Sequence, residues 1–286
     1  MFSRHREQAL LLQGLCFAGE IQGACRIKLT RPALLDRVAP RSGLCVGVRG
    51  EKELQLNEHT LSMRLERVAA HVPAGARLAD IGSDHGYLPV ALMRRGLISA
   101  AVAGEVALTP FNAAQRTVRE SDLDAQISVR HASGLAAIEP GDAINAISIC
   151  GMGGETIRDI LERGQSRLSG NERLILQPNG GEQPLRQWLM DNGYQILCEE
   201  LLRENRFYYE IIVAERAEPV TYSAEELYFG PLQMQARSPE FLDKWQRILR
   251  EKHKTLSGFA KARQAVPAST LEEIAQQARW ITALLA

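Results

Sequence analysis

The chain has 286 residues, 45% of them hydrophobic and 24% charged, with 34 Lys and Arg balancing 34 Asp and Glu to a formal net charge of zero. That length allows one large domain or one domain with an appendage, and zero net charge excludes a global field that draws in nucleic acid, so any basic surface must be local. Five cysteines (Cys16, Cys25, Cys45, Cys150, Cys198) show neither C-x-x-C nor zinc-ligand spacing, and no run approaches the roughly 20 apolar residues of a membrane span; the expectation is a reduced, cytoplasmic protein without a metal site.

Residues 1–57 differ from the rest. They hold three of the five cysteines and nine Lys and Arg against five Asp and Glu, and no apolar period persists. Ala9–Gly19 is faintly apolar behind Arg4 and Arg6, but Gln13 and Gly14 interrupt it and no A-x-A cleavage site follows. The segment reads as a poorly ordered or non-native extension.

Residues 58–217 read as one α/β domain. Leu61, Leu65, Val68 and Ala69 make a helical stripe that Pro73 and Gly75 end. Arg77–Ile81 is an apolar strand, and it runs into Gly82-Ser83-Asp84-His85-Gly86, a tight acidic turn before a helix at Tyr87–Arg95. A dinucleotide-binding turn needs a glycine two positions after Gly82, so that a pyrophosphate can approach; here that position is Asp84. With Asp80 at the strand end, the turn suits a cationic ligand without phosphate, such as S-adenosylmethionine. Strand Ala100–Ala103 follows, with Glu105 just past its end, 25 residues after Asp80, where an acidic side chain accepts hydrogen bonds from ribose hydroxyls.

Helix Pro110–Arg119 and strand Ile127–Arg130 lead to His131-Ala132-Ser133-Gly134, a loop placed to hold an adenine edge. Strand Ala143–Cys150 enters Gly151-Met152-Gly153-Gly154, a second glycine-rich turn that points to a site shared with the first. Helix 155–163, strand Leu174–Leu176, the loop Gln177-Pro178-Asn179-Gly180-Gly181 and helix Gln183–Asn192 follow. Two strands, Tyr194–Leu202 and Phe207–Glu215, close the domain around a polar turn at 203–206. Five βα units and a terminal hairpin give the Class I methyltransferase pattern, a parallel Rossmann-like sheet with one antiparallel strand.

Residues 218–286 read as a helical appendage. Leu242, Trp245, Leu249, Leu256 and Phe259 follow a 3,4 spacing within 239–263, as do Leu271, Ile274, Ala278, Ile281 and Leu285 after a predicted capping box from Ser269 to Glu272. Two such helices fold back as an antiparallel, coiled-coil-like pair. The first carries Lys244, Arg247, Arg250, Lys252, Lys254, Lys261 and Arg263, the one local basic surface and the candidate grip on nucleic-acid phosphates.

The set L-S-x-R-L (61–65), A-D-I-G-S-D-H-x-Y-L-P (79–89), A-G-E (103–105), G-M-G-G (151–154), L-I-L-Q-P-N (174–179) and Y-E-I-I-V-A-E (209–215) resembles the bacterial tRNA (adenine-22-N1)-methyltransferase family, over about residues 58–286. Gly86 departs from it, standing where alanine is expected. The resemblance implies methyl transfer from S-adenosylmethionine to N1 of an adenine in tRNA. It implies cofactor contacts at Asp80, Gly82, Ser83, His85, Glu105, Ser133, Gly134, Gly151, Met152 and Gly153. Asp84 is the candidate catalytic carboxylate, competing with a role in gripping cofactor. Arg64, Gln177 and Asn179, with Lys244, Arg247 and Lys254 on the helical arm, are the candidate substrate contacts, and the enzyme is read as a monomer. The alternatives are a methyltransferase acting on a small molecule or a protein, with the arm as a docking module, a nicotinamide oxidoreductase, or a non-catalytic module.

Overall fold

The central strands of the domain send alternate residues to two buried faces, which is why their apolar runs are nearly continuous. In the computed structural model, which describes residues 60–260 and 266–286, one core packs Leu78, Ala101, Ala103, Ala146 and Ile175. Their chain neighbours Ala79, Ile81, Val102, Ile147, Leu174 and Leu176 face the other core. A sheet covered on both sides leaves no polar face. The reading of residues 1–57, and Lys261 and Arg263, lie outside the described residues.

The seven strands are β1 (Ala76–Ile81), β2 (Ile98–Glu105), β3 (Ile127–His131), β4 (Ala146–Met152), β5 (Arg173–Pro178), β6 (Tyr194–Glu204) and β7 (Phe207–Arg216). Their order is β3-β2-β1-β4-β5-β7-β6. The first five pair in parallel, and β7 alone is antiparallel to both its neighbours. This is the expected Class I topology, and its order reverses between β1 and β4, where open α/β sheets bind ligands. Helices α1 (Met63–Ala70), α2 (Tyr87–Arg94), α3 (Leu108–Glu120), α4 (Gly154–Arg163) and α5 (Glu182–Asp191) cover the faces. Ser62 caps α1, its hydroxyl accepting the Leu65 N–H at 3.2 Å. The β6–β7 turn is tighter than the predicted 203–206: Glu204 pairs with Phe207, and Asn205 takes a left-handed φ of 57°. The fourth strand starts at Ala146 and not Ala143, which turns with φ 49°.

Beyond the sheet come α6 (Ala224–Phe229), α7 (Pro231–Ala236), α8 (Pro239–Phe259) and α9 (Ala268–Leu285). Lys252 Nζ donates to Gln277 Oε1 at 2.5 Å, while Phe241 and Trp245 share a core with Ile281 and Leu284, so α8 and α9 run antiparallel. The predicted capping box fails: α9 starts at Ala268 with Pro267 at its cap, which leaves Ser269 inside the helix. No helix among the described residues is long and apolar enough to cross a membrane.

The basic stripe is also corrected. Lys244 is buried, and its ammonium donates to Glu210 and lies 3.7 Å from Glu182. Arg186 completes the cluster, donating to Glu199 at 2.7 Å and to Glu210 at 2.5 Å. The 3,4 count missed this because α8 buries the row through Phe241, Lys244 and Trp245. These charges join α5, the hairpin and α8. Removing one partner of a buried pair leaves the other uncompensated, so Glu210→Ala is expected to lower the unfolding free energy by about 3–5 kcal/mol in urea titrations at pH 7.

Glu200 on β6 gives a second expectation. Burial pushes its carboxyl up, but hydrogen bonds from His71 and Arg67, and their charge, outweigh burial and hold it at about 2. A depressed carboxyl stabilises the fold fully above its ordinary value of 4.5 and loses that contribution as pH falls toward about 2. Acid titration of Glu200→Gln should therefore show a flatter stability curve between those two pH values.

Candidate active site

The carboxyl ends of β1, β2 and β4 meet in one cleft of about 410 Å³, within the usual range for small-ligand sites. Asp80 ends β1 and is buried. Ser83 Oγ donates to its Oδ2 and Ser148 Oγ to its Oδ1, each at 2.6 Å. Burial pushes the Asp80 carboxyl up, and the two hydroxyls pull it back. Both oxygens are thus engaged within the protein, and Asp80 ties the loop to β4.

Glu105 ends β2, nearly buried, and accepts the Asp84 N–H. Burial pushes its carboxyl up as well, against that hydrogen bond. The loop between them turns with Asp84 at φ 55°, a left-handed conformation that aspartate tolerates better than most residues. The Asp84 side chain is left 76% exposed at the cleft mouth, 3.7 Å from His85 Nε2. His85 stacks on Tyr87 with ring centroids 5.1 Å apart.

Met152 closes the opposite wall. A Cβ on Gly82 would come within 2.0 Å of its Cε, so the glycine makes room for the methionine over the turn. Gly151 also lines the cleft, whereas Gly153 stands exposed at the start of α4. Gly154 is a packing residue: its N–H donates to Gly180 O at 2.7 Å, and a Cβ there would lie 2.0 Å from Gly181 O.

Arg64 enters the cleft from α1 and donates to Gln177 Oε1 at 2.6 Å. Gln177 is 0% exposed. Its oxygen also accepts the Gly151 N–H at 3.0 Å, and its amide donates to Pro178 O and Asn179 Oδ1, each at 2.9 Å. With every hydrogen bond made inside the protein, Gln177 does not reach a substrate base as expected; it positions Arg64, Gly151 and Asn179. Asn179 itself is exposed. Ser133 and Gly134 line a different cleft with Thr156, Asp159 and Ile160, joined to the first through the Ala132 N–H to Glu105 O bond at 2.8 Å. Lys254 and Arg247 are on the exposed side of α8, away from the cofactor cleft, and Lys244 is spent in the buried cluster.

Leu65, Tyr87, Leu88, Pro110 and Cys150 complete the cleft. None of the five is among the expected contacts, and only the closeness of Tyr87, Leu88 and Cys150 to the glycine turns marked them. Burial pushes the Cys150 thiol far above its ordinary value, which favours the neutral thiol. Three carboxylates around glycine loops, with one arginine at the far wall, suit a ligand that carries positive charge and a carboxylate but no phosphate.

A family model described as tRNA (adenine(22)-N(1))-methyltransferase matches residues 78–279. The tRNA (adenine(22)-N(1))-methyltransferase of Bacillus subtilis (strain 168) is 43% identical over 200 residues, 68% of this chain and 83% of that protein. The crystal structure of the B. subtilis M1A22 tRNA methyltransferase TrmK superposes with a TM-score of 0.75 at 36% identity, covering 80% of this chain and all (100%) of the other. M. capricolum TrmK, solved with its cofactor product S-adenosyl-homocysteine, gives 0.69 at 25% identity over 79% of this chain and 98% of the other.

The two neighbouring glycines of the second loop should respond differently to alanine. Gly154→Ala meets backbone that cannot give way and is expected to cost about 3 kcal/mol in urea denaturation. Gly153→Ala, with φ −63° and its nearest neighbour at 3.8 Å, should stay within about 1 kcal/mol of the parent.

Proposed function

We propose a reaction on one premise: the chain belongs to the tRNA (adenine(22)-N(1))-methyltransferase family. It is an S-adenosylmethionine-dependent methyltransferase acting on tRNA, and its product is 1-methyladenosine, at position 22 by kinship. The observation that carries this reading is Asp84 at the place where a diphosphate-binding turn keeps glycine, in a cleft that already holds Asp80 and Glu105.

The residues divide the work. Bound S-adenosylmethionine supplies an electrophilic methyl group on a sulfonium. Glu105 offers its second oxygen to ribose hydroxyls, and Val106, exposed just after it, offers an apolar face to the nucleoside base. Ser133 and Gly134, in the adjoining cleft, meet the far edge of that base. Arg64 answers the amino-acid carboxylate, and the Gly82-Ser83 and Gly151–Gly153 backbones close around the ligand, with Met152 across from the turn.

N1 of adenine already has an in-plane lone pair, so the protein's main contribution is to align it with the methyl group. N1 lies on a paired edge, so the base must leave its stack to be reached. Asn179, exposed beside the cleft, is placed to meet the base edge. Methylation leaves a cation on the ring, and the exposed Asp84 carboxylate at the mouth stabilises it or accepts a proton from N6. Arg247 and Lys254 supply phosphate contacts along α8. On this reading the enzyme works in the cytoplasm as a monomer, and alignment of N1 requires no metal.

The test incubates the full chain with labelled S-adenosylmethionine and unmodified tRNA and analyses the nucleosides by mass spectrometry. Label in 1-methyladenosine is expected, and label in another nucleoside, or none despite cofactor binding, overturns the reading. Asp84→Asn should bind cofactor like the parent while turnover falls roughly a hundredfold; full turnover would remove Asp84 from the chemistry. Glu105→Ala should weaken cofactor binding roughly 10- to 100-fold, the equivalent of a hydrogen bond to a charged group.

A further inference from the structure

A second cleft, of about 640 Å³, lies beside Asn179 and is not part of the cofactor site. The loop 179–181 with the first turn of α5 forms one wall, the tip of the β6–β7 hairpin another, and α8 the third. The two clefts share a partition. Arg64, which lines the first, lies 5.5 Å over the ring of Tyr209, which lines the second, and Asn179 is bonded to Gln177 and to Met152 O.

Aromatic rings line this cleft, and further guanidinium planes lie over two of them, Arg247 from the lining itself and Arg203 and Arg206 from the adjoining hairpin. Arg206 lies 5.3 Å over Phe207, and Arg203 and Arg247 lie 5.6 and 5.2 Å over Tyr208. Tyr208 is held by its hydroxyl to Asp243, so it acts as a post for two arginines. Arg203 and Arg247 also pair with Asp243 at 3.3 Å and Glu251 at 3.4 Å, exposed contacts weak enough to yield to a phosphate. Phe207 is different: it is 53% exposed at the hairpin tip, a large apolar ring that stays half open to solvent beside Arg206. Inside the cleft the positive charge of Lys244 is neutralised by Glu210 and Glu182, so cationic character is confined to the rim. Aromatic and arginine planes with a cationic rim suit unstacked bases and their phosphates better than a peptide.

We propose that this cleft is a second nucleobase site, taking the base next to the methylated adenine. It rests on the tRNA reading above. Extruding the target adenine strips its neighbour of a stacking partner. The neighbour's base stacks instead on Phe207 and Arg206, and its phosphates lie against Arg203 and Arg247. The target itself reaches the cofactor cleft on the other side of the Arg64–Gln177–Asn179 partition. The ring of Phe207 thus offsets part of the unstacking that brings N1 to the methyl donor.

The test uses the full chain, Phe207→Ala and Phe207→Trp, with tRNA affinity, methylation rate and S-adenosylmethionine affinity measured for each. Phe207→Ala is expected to weaken tRNA binding about 5- to 150-fold, the range for losing one base stack, with cofactor affinity unchanged. Phe207→Trp should restore it. On tRNA with an abasic residue at the neighbouring position, 5′ or 3′ of the target, the parent should lose the same factor and Phe207→Ala should lose nothing more. A parent that methylates tRNA while Phe207→Ala binds it within twofold overturns this site alone. An alanine penalty that persists undiminished on both abasic tRNAs also overturns it. A parent that binds cofactor but neither binds nor methylates tRNA removes the tRNA reading, and this site with it.

Discussion

The buried carboxylate of Asp80 is the constraint from which the site follows. An ionised carboxyl taken out of water is costly unless hydrogen bonds replace the solvent. Here two hydroxyls do so, Ser83 from the turn and Ser148 from the neighbouring strand, and that arrangement leaves the turn one place to lie. Glu105 then takes the Asp84 N–H from the other side. The two acids that stand out at the strand ends therefore act first on the protein's own groups, Asp80 on two hydroxyls and Glu105 on a backbone N–H. Between them they orient the one acid that is left facing outward, Asp84. The cleft is preorganised before any ligand enters, and preorganised charge is what a positioning enzyme needs.

A second set of buried charges connects this site to the helical arm. Arg186, Glu199, Glu210, Lys244 and Glu182 draw on α5, both hairpin strands and α8. Such a cluster is weak evidence for net stability, because desolvation opposes the attraction. It is directional, however. Each charge must find its partner, and this sets the hairpin tip against α8. The aromatic cleft and its arginine rim exist because of that alignment. The same cluster explains why Lys244 is absent from the basic face: its neighbours on the buried row, Phe241 and Trp245, carry it inward.

Much of the fold was legible in the chain. The strand–turn–helix units, the acidic first turn, the terminal hairpin and the antiparallel helical pair all rest on local chemistry: apolar runs, glycine and proline punctuation, and 3,4 periodicity. The motifs from 61 to 215 carried the family resemblance for the same reason, since each is a short segment whose residue types are dictated by one turn or strand end. The failures also have local causes. A capping box at Ser269 is a valid pattern, but Pro267 takes the cap position, and the helix starts two residues too early for Ser269 to serve. Gln177 was read as a base contact because an amide beside a glycine loop is chemically suited to one; its four partners come from α1, β4 and its own loop.

By itself the sequence determined the order of the elements, the acidic glycine turn and its preference for a cationic, phosphate-free ligand, because these depend on residues that are neighbours in the chain. Only the tertiary structure decided which polar groups are consumed internally and which remain for a ligand. Asp80 and Asp84 are four residues apart in the chain, yet one is buried between hydroxyls and the other faces the cleft mouth. Lys244 and Arg247 are three apart on one helix, yet one is buried in the charge cluster and the other lies half-exposed over Tyr208. The physical reason is the same in both cases. Burial and partner choice are set by side chains contributed from distant parts of the chain, and no local pattern records them.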